Sequence, residues 1–284
     1  MEPNPDFRNQ SKAFWANVRL ISEQVGYTQR KEKKIKVPTK KEVEKAYKAL
    51  SLNTTHLWQA DGSETKIGHA LMQYFSYRAQ VLNGYVEPKL MDATRAKREF
   101  ELLQKKLKPN CPLPMNKQKG EKRQHAYLTC IVNMIVEANC NGFTCDYDPR
   151  SLATVTLDGL PYRTLARRVD GAFPSTVNPL ALWEIKEYYH TTTFGSRVAD
   201  GVYESLLDGM ELEEISTDEN IKIIHLLMID AHYTWWQCGR SYLCRIIDML
   251  HMGYVDEVLF GYEVIEKLPG IIKALVKSHK ENIK

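Results

Sequence analysis

The sequence predicts a mixed α/β fold, in which a sheet is flanked by helices and preceded by a mainly helical N-terminal region. Three observations support this prediction. Residues 1–110 hold apolar side chains at helical spacing. Beyond the proline-rich stretch 109–120, short runs of β-branched and aromatic residues indicate strands. The run 223–229 is apolar without alternation, as expected for a strand that is covered on both faces.

The N-terminal region is typical of a series of amphipathic helices. Residues 11–25 predict the first helix, and Thr39 predicts the cap of a second helix. Residues 64–82 and 88–107 predict two more, with a break at Asn83-Gly84. Helices joined by a basic connector could form a small DNA-reading module, and plain helix packing is the alternative.

The C-terminal half has a different order of elements. The first elements predicted along the chain are a helix over 121–139 and strands near 152–157, 162–170 and 181–190. A helix over 196–209, a strand over 221–229, a helix over 239–251 and a strand over 257–260 follow. The last predicted element is a helix interrupted at Pro269-Gly270. The proline-rich stretch between the two halves has the composition of a linker. We therefore predict two domains, a helical region over 1–110 and a second domain over 117–284.

The composition is that of an ordinary globular protein. Of 284 residues, 43% are hydrophobic and 26% charged, and the net charge is +4. Six cysteines form no CxxC pair, and the first residues lack the pattern of an export signal. No apolar stretch is long enough for a bilayer. These features predict a cytoplasmic protein with reduced thiols and no membrane partner.

Charge is distributed unevenly along the chain. Basic residues cluster over 30–41, 117–123 and 163–168, whereas residues 200–219 are acidic with no basic residue. Each run taken alone is typical of a solvated face. Three basic runs together favour a surface that contacts a polyanion, with the acidic run on another surface.

The motif with the clearest chemical meaning combines Asp170 with Glu184 and Lys186. Side chains alternate along a strand, so Glu184 and Lys186 share one face while Trp183 and Ile185 point to the other. The intervening residues include prolines, glycine and asparagine, which predicts a turn that returns the chain beside Asp170. The three polar groups are therefore expected to meet at one edge of a sheet.

Two interpretations of these residues compete. Asp170 can be a turn former, with Glu184 and Lys186 on a solvated strand edge. On a buried strand, however, burying the charged side chains of Glu184 and Lys186 costs free energy unless they form an ion pair or bind a metal. Carboxylate oxygens are ligands that Mg²⁺ prefers. Asp158 could take the place of Asp170 in this group, but Asp158-Gly159 has the pattern of a hairpin turn.

These residues resemble the PD-(D/E)XK nuclease superfamily and, within it, a type II restriction endonuclease. Asp170 matches the first acid and Glu184-Ile185-Lys186 matches the (D/E)-X-K triplet, with 13 residues between the two acids. Glu121 matches the further acid that some members carry on the first helix. Val169 stands where the motif name has proline. The similarity covers roughly the C-terminal three-fifths of the chain and its order of helix, three strands, helix and strand.

The resemblance implies a restriction-endonuclease-like catalytic domain. It implies Mg²⁺ held by Asp170 and Glu184, with the Ile185 carbonyl as a further ligand, and Lys186 beside the attacking water. The implied activity is sequence-specific hydrolysis of double-stranded DNA by a homodimer that leaves 5′-phosphate ends. Alternatives are a repair, recombination or less specific defence nuclease, and a non-cleaving DNA-binding regulator. A helical protein-interaction module joined to an unrelated α/β domain follows if the three residues lie far apart.

Overall fold

A computed structural model describes residues 1–8, 10–29, 31–116, 124–190 and 195–283. The strands are β1 (Thr28–Gln29), β2 (Lys34–Ile35), β3 (Asp146–Tyr147), β4 (Thr154–Leu157), β5 (Leu160–Thr164), β6 (Gly171–Phe173), β7 (Ala181–Glu187), β8 (Ile224–Asp230) and β9 (Glu257–Phe260). The helices are α1 (Pro5–Arg8), α2 (Lys12–Val25), α3 (Lys40–Ala49), α4 (Lys66–Val81), α5 (Glu87–Lys89), α6 (Ala93–Leu107), α7 (Tyr127–Asn139), α8 (Ser196–Glu219), α9 (Arg240–Met252) and α10 (Glu263–Ile283). Single π-helical turns occupy Leu82–Val86 and Tyr233–Cys238.

Five strands form a mixed sheet in the order β3-β6-β7-β8-β9. The pairs β3–β6 and β6–β7 are antiparallel, whereas β7–β8 and β8–β9 are parallel. Strand β8 is buried along nearly its whole length, which confirms the expectation from its continuous apolar run. Strand β6 has three residues and β7 has seven, so the end of β7 extends past its antiparallel neighbour. This leaves one edge of β7 open where the strand ends.

Helices cover both faces of the sheet. Trp183 and Met228 pack with α7 and α10 on one face. On the opposite face, Leu182 packs with α8, and Leu227 and Ile229 pack with α9. This arrangement confirms the predicted mixed α/β fold with flanking helices and a helical N-terminal region.

The N-terminal helices have an apolar core of their own, built mainly from residues of α2, α3 and α4 and rich in aromatic side chains. A buried polar cluster joins this region to α9. Arg78 on α4 donates to both carboxylate oxygens of Asp248 at 2.9 Å, and the Tyr74 hydroxyl donates to the same carboxylate at 2.6 Å. Burial makes such a cluster costly to break, so α4 is firmly fixed against the sheet domain.

Several local predictions are confirmed. The helix predicted over 11–25 is α2, and Thr39 caps α3 in a complete capping box with Glu42. Asp158 and Gly159 have positive φ angles of 50° and 78° in the turn between β4 and β5, as the Asp-Gly pair predicted.

The predicted strand over 162–170 is wrong in its extent. Strand β5 ends at Thr164, and β6 begins at Gly171, so Asp170 lies just before a strand and not at the end of one. Between them Leu165 and Val169 turn inward and join a core cluster under α8. The strand ends at Thr164 because the chain leaves its pairing partner in order to bury these two side chains.

The predicted helix over 121–139 begins later than expected. Helix α7 starts at Tyr127, because the preceding chain pairs with another extended segment. The Asn116 amide donates to the Gln124 carbonyl at 2.8 Å, and the Ala126 amide donates to the Pro114 carbonyl at 3.0 Å. These bonds hold residues 124–126 out of the helix.

Two predicted interruptions do not occur. At Asn83-Gly84 the chain remains helical through the π-helical turn, because Leu82 and Val86 on either side are fully buried. Helix α10 continues through Pro269. Tertiary packing overrides the local breaking tendency in both places. Among the described residues, no helix combines the length and apolar character that crossing a bilayer requires.

The contact of Gly171 with Trp183 can be tested by adding one methyl group. A Cβ at Gly171 would lie 2.2–2.4 Å from atoms of the Trp183 indole, so Gly171→Ala is expected to lower the free energy of unfolding by about 1–3 kcal/mol or more. The control is Gly84→Ala at an exposed helical position where no atom lies within 4 Å, and it should leave stability unchanged or raise it by about 0.5–1 kcal/mol. Urea unfolding of both variants measures the difference, and equal stabilities would contradict the packing argument.

Candidate active site

Asp170, Glu184 and Lys186 lie together at the open end of β7. The Lys186 ammonium donates to Oε2 of Glu184 at 2.7 Å, so both side chains lie on the same face of the strand, as the alternation predicted. The Asp170 carboxylate accepts a 2.7 Å hydrogen bond from the amide of Ile185, between them. Because the N–H and C=O of one strand residue point to the same side, the Ile185 carbonyl faces the same edge as Asp170.

Helix α8 crosses the face of β7 that carries this pair. Glu204 accepts from Lys186 at 2.8 Å, and Asp208 lies one turn further along the helix. A Cβ on Gly201 would lie 3.2 Å from Cδ of Lys186, so glycine permits the close approach of the helix. Glu184 and Asp208 are almost completely buried, whereas the Glu204 side chain is 42% exposed. Glu184 and Lys186 are therefore enclosed between β7 and α8, and the cluster reaches solvent at Glu204.

Arg167 closes the cluster from the segment between β5 and β6. Its guanidinium approaches Glu184 with N···O distances of 2.9 and 3.1 Å. It also donates to Asp208 at 2.6 Å and to Glu204 at 3.4 Å. One guanidinium thus contacts three carboxylates, two of them buried. A planar fork with several donors suits this role better than an ammonium group.

The cluster has more negative than positive charge. Four carboxyl groups, those of Asp170, Glu184, Glu204 and Asp208, face the two cations Arg167 and Lys186. Burial, and to a lesser extent repulsion from Glu184, raises the pKa of Asp170 to about 6. The residue is not completely buried, and part of its surface is open to the cleft. The same two causes raise the pKa of Asp208 to about 7. The two positive charges therefore do not fully compensate the carboxylates.

A fifth acid, Glu187, lies on the opposite face of β7 at the start of α7. Its carboxylate accepts from the Thr129 amide at 3.1 Å and from the Thr129 hydroxyl at 3.3 Å. Burial raises the pKa of Glu187 to about 7, and these hydrogen bonds oppose the shift. Amides at a helix start favour an anion, so Glu187 attaches the end of β7 to α7.

A cleft of about 320 Å³ opens beside these residues. Asp170, Lys186 and Glu204 line it together with Arg167 and Thr129. Its lining is predominantly polar, which distinguishes it from a pocket for an apolar ligand.

The residues can be compared with the needs of Mg²⁺. Among the described residues, no three His, Cys, Asp or Glu side chains are arranged as a metal site. The donors are nevertheless hard oxygens, and the negative surplus is of the kind that a divalent cation compensates. Oδ1 of Asp208 and Oε1 of Glu184 are buried without a hydrogen-bonding partner, although Oε1 has the ion contact with Arg167. Asp170 and Glu184 therefore fit a hard cation in donor type and charge.

Three of the four residues predicted from the sequence are brought together. Asp170, Glu184 and Lys186 form one cluster, whereas Glu121 lies outside the described residues. Arg167, Glu204 and Asp208 belong to the same cluster, although no motif in the sequence predicted them there. The spacing of four residues between Glu204 and Asp208 places both on one helix face, which is the signal that could have suggested them.

The separate acidic and basic surfaces predicted from the charge runs are not observed for residues 163–167. Arg163 contacts Glu214, and Arg167 contacts Glu204 and Asp208. Arginines ahead of β6 and acids of α8 thus pair with each other, because the two segments lie side by side.

Comparison with known protein families divides the chain into two parts. The model described as Domain of unknown function (DUF7687) matches residues 91–275, well over half of the chain. The chain belongs to this family. A second model, Domain of unknown function (DUF7690), matches residues 1–85. Searches of curated proteins and of solved structures each returned no match.

The DUF7687 region contains every described residue of the cluster. The buried contact of Arg78 with Asp248 joins this region to the one that DUF7690 matches. The division predicted from the sequence, after residue 110, remains a prediction.

The buried ion pair should matter far more for stability than an exposed one. Lys186→Met leaves Glu184 buried with less compensation and is expected to cost about 3–5 kcal/mol of unfolding free energy. The matched control is Lys222→Met, which removes an ion pair of 2.6 Å to Asp256 whose lysine is 53% exposed, and it should cost about 0–1 kcal/mol. Urea unfolding measures both variants, and similar losses would show that the Lys186 contact is not effectively buried.

The raised pKa of Asp170 predicts a pH dependence. An ionised Asp170 is disfavoured in the folded protein, so its contribution to stability is complete below about pH 4 and is lost as the pH rises through about 6. Asp170→Asn removes this loss and can still accept from Ile185. We expect the variant to gain on the order of 1–3 kcal/mol over the natural protein between pH 4 and pH 8. A difference in stability that does not vary with pH would contradict the shift.

Proposed function

We propose that the protein is a Mg²⁺-dependent endonuclease that hydrolyses phosphodiester bonds of double-stranded DNA at specific sequences, as a type II restriction endonuclease does. The observation that carries the proposal is the meeting of Asp170 with the Glu184-Ile185-Lys186 triplet at the open end of β7. The order of helix α7, antiparallel strands, α8 and the parallel strand β8 supports it, because the similar nuclease superfamily has this order.

Each residue has a proposed role. Asp170 and Glu184, with the Ile185 carbonyl, would hold Mg²⁺, which when bound lowers the pKa of water and offsets charge on the scissile phosphate. Lys186 can position the attacking water and stabilise the negative charge that develops on the phosphate. Glu204 orients Lys186 by accepting from it at 2.8 Å. Attack in line with the leaving oxygen would give 5′-phosphate and 3′-hydroxyl ends.

The proposed assembly is a homodimer. A single cleft acts on one strand, and two copies related by a two-fold axis match both strands of a palindromic site. The region of residues 1–110 is the proposed contributor to recognition of the bases.

Digestion of plasmid and phage DNA with Mg²⁺, followed by sequencing of the ends, tests the proposal. We expect discrete fragments that share one motif, and no cleavage in EDTA. Asp170→Asn should reduce the cleavage rate by at least about 100-fold, because the variant lacks one proposed ligand charge. Asp158→Asn, in the exposed β4–β5 turn, is the control that should cut normally. Lys186→Met is informative once circular dichroism shows that it is folded.

Other outcomes assign the protein to other classes. A smear or ladder of products indicates repair, recombination or less specific defence activity of the same cleft. DNA that is shifted in a gel but never cut indicates a non-cleaving regulator. Equal cleavage by Asp170→Asn and the natural protein would refute the role of Asp170.

A further inference from the structure

Arg167 has an unusual position for a residue beside a proposed metal site. Its guanidinium approaches both oxygens of Glu184, at 2.9 and 3.1 Å, and Lys186 contacts one of the same oxygens at 2.7 Å. A ligand oxygen lies about 2.0–2.1 Å from Mg²⁺. A metal ion on either oxygen of Glu184 would repel the guanidinium and take up lone pairs that Arg167 and Lys186 now use, so metal binding is expected to weaken the contact of Arg167 with Glu184.

The contacts of Arg167 differ in how easily they can be broken. Oε1 of Glu184 is close to the guanidinium but accepts no hydrogen bond, so this contact is poorly aligned. The contact with Asp208 is the shortest, at 2.6 Å. To release Glu184, Arg167 must therefore break one hydrogen bond, from Nη2 to Oε2 at 3.1 Å, while Nη1 can retain Asp208. Its side chain is 24% exposed, which leaves room for this movement on the cleft side.

The main chain of Arg167 is held in place from both sides. Leu165 and Val169 are buried in the cluster under α8, and the Ala166 amide donates to Glu211 at 3.1 Å. The side chain can thus move while its attachment stays fixed. This combination suits a residue that alternates between two partners.

We propose that Arg167 is an internal counter-cation that the divalent metal displaces from Glu184, so that metal binding frees one side of the guanidinium for a phosphate of the substrate. This inference rests on the proposed metal-dependent function. Before metal binds, Arg167 compensates the buried Glu184 carboxylate and keeps the site folded. After displacement, Nη2, which donated to Oε2 of Glu184, would be free to face the cleft, where a guanidinium matches phosphate geometry.

Binding of Mn²⁺ in the absence of DNA, measured by electron paramagnetic resonance of the free ion, tests the proposal without relying on activity. Arg167→Gln removes the competing charge and keeps a polar amide at this position. We expect it to bind Mn²⁺ between about fivefold and 150-fold more tightly than the natural protein. The double variant Arg167→Gln with Glu184→Gln should lose this gain, which locates the effect at Glu184.

Arg163→Gln is the matched control. Arg163 lies on the neighbouring strand β5 and pairs with Glu214, whose side chain is 57% exposed. Its removal should change Mn²⁺ affinity by less than about twofold, because an exposed pair is strongly screened. Arg167→Lys serves as a second variant if Arg167→Gln does not fold. One ammonium covers fewer carboxylate oxygens than a guanidinium, so a smaller gain in affinity is expected.

Two results would overturn the proposal. One is a folded Arg167→Gln protein that binds Mn²⁺ no more tightly than the natural protein, and the other is an equal gain in Arg163→Gln. Failure of the proposed function is distinguishable from both. If the natural protein cuts DNA but Arg167→Gln shows no gain, the displacement is wrong and the nuclease function stands. If the gain is present but no DNA is cut, Arg167 competes with a metal that serves a different activity.

Discussion

Compensation of the buried Glu184 carboxylate is the constraint on which the rest of the site depends. The side chain is 1% exposed, and an isolated charge at such a position would destabilise the fold by several kcal/mol. Lys186 on the same strand and Arg167 from the preceding segment supply the opposite charge. Helix α8 must then approach closely enough for Glu204 and Asp208 to complete the pairing, and Gly201 permits this approach. Strand, segment and helix are thus fixed relative to one another by one charged cluster.

The sheet determines where this cluster meets solvent. Strand β6 begins only at Gly171, opposite Trp183, so the residues of β7 beyond Trp183 have no antiparallel strand beside them. Gly171 lies against the Trp183 indole, which fixes the short strand in register and places Asp170 at that edge. A reactive group needs both a rigid base and access to substrate. The difference in length between two neighbouring strands would give both to the proposed site.

Local patterns predicted much of the fold, and long-range pairing accounts for what they missed. The period of two in Glu184-Ile185-Lys186 correctly placed the two polar residues on one face, and the capping box at Thr39 was predicted from side-chain chemistry alone. The division of 162–170 depends on burial of Leu165 and Val169 under a helix that begins about thirty residues later. Arg167, Glu204 and Asp208 were visible only as charge runs, because no local rule tells which acid an arginine will meet.

The cluster also bears on how a metal could be accommodated without loss of stability. If Glu184 were unpaired before metal bound, the apo protein would carry an uncompensated buried charge, and folding would depend on the ion. Because Arg167 and Lys186 already provide compensation, binding becomes an exchange of one cation for another. The exchange weakens the net affinity for the ion by the cost of removing Arg167, since that contact is lost when the metal contact forms. If the proposed metal binds, apo stability and tight metal binding would therefore oppose each other at Glu184, and the position of Arg167 would determine the balance between them.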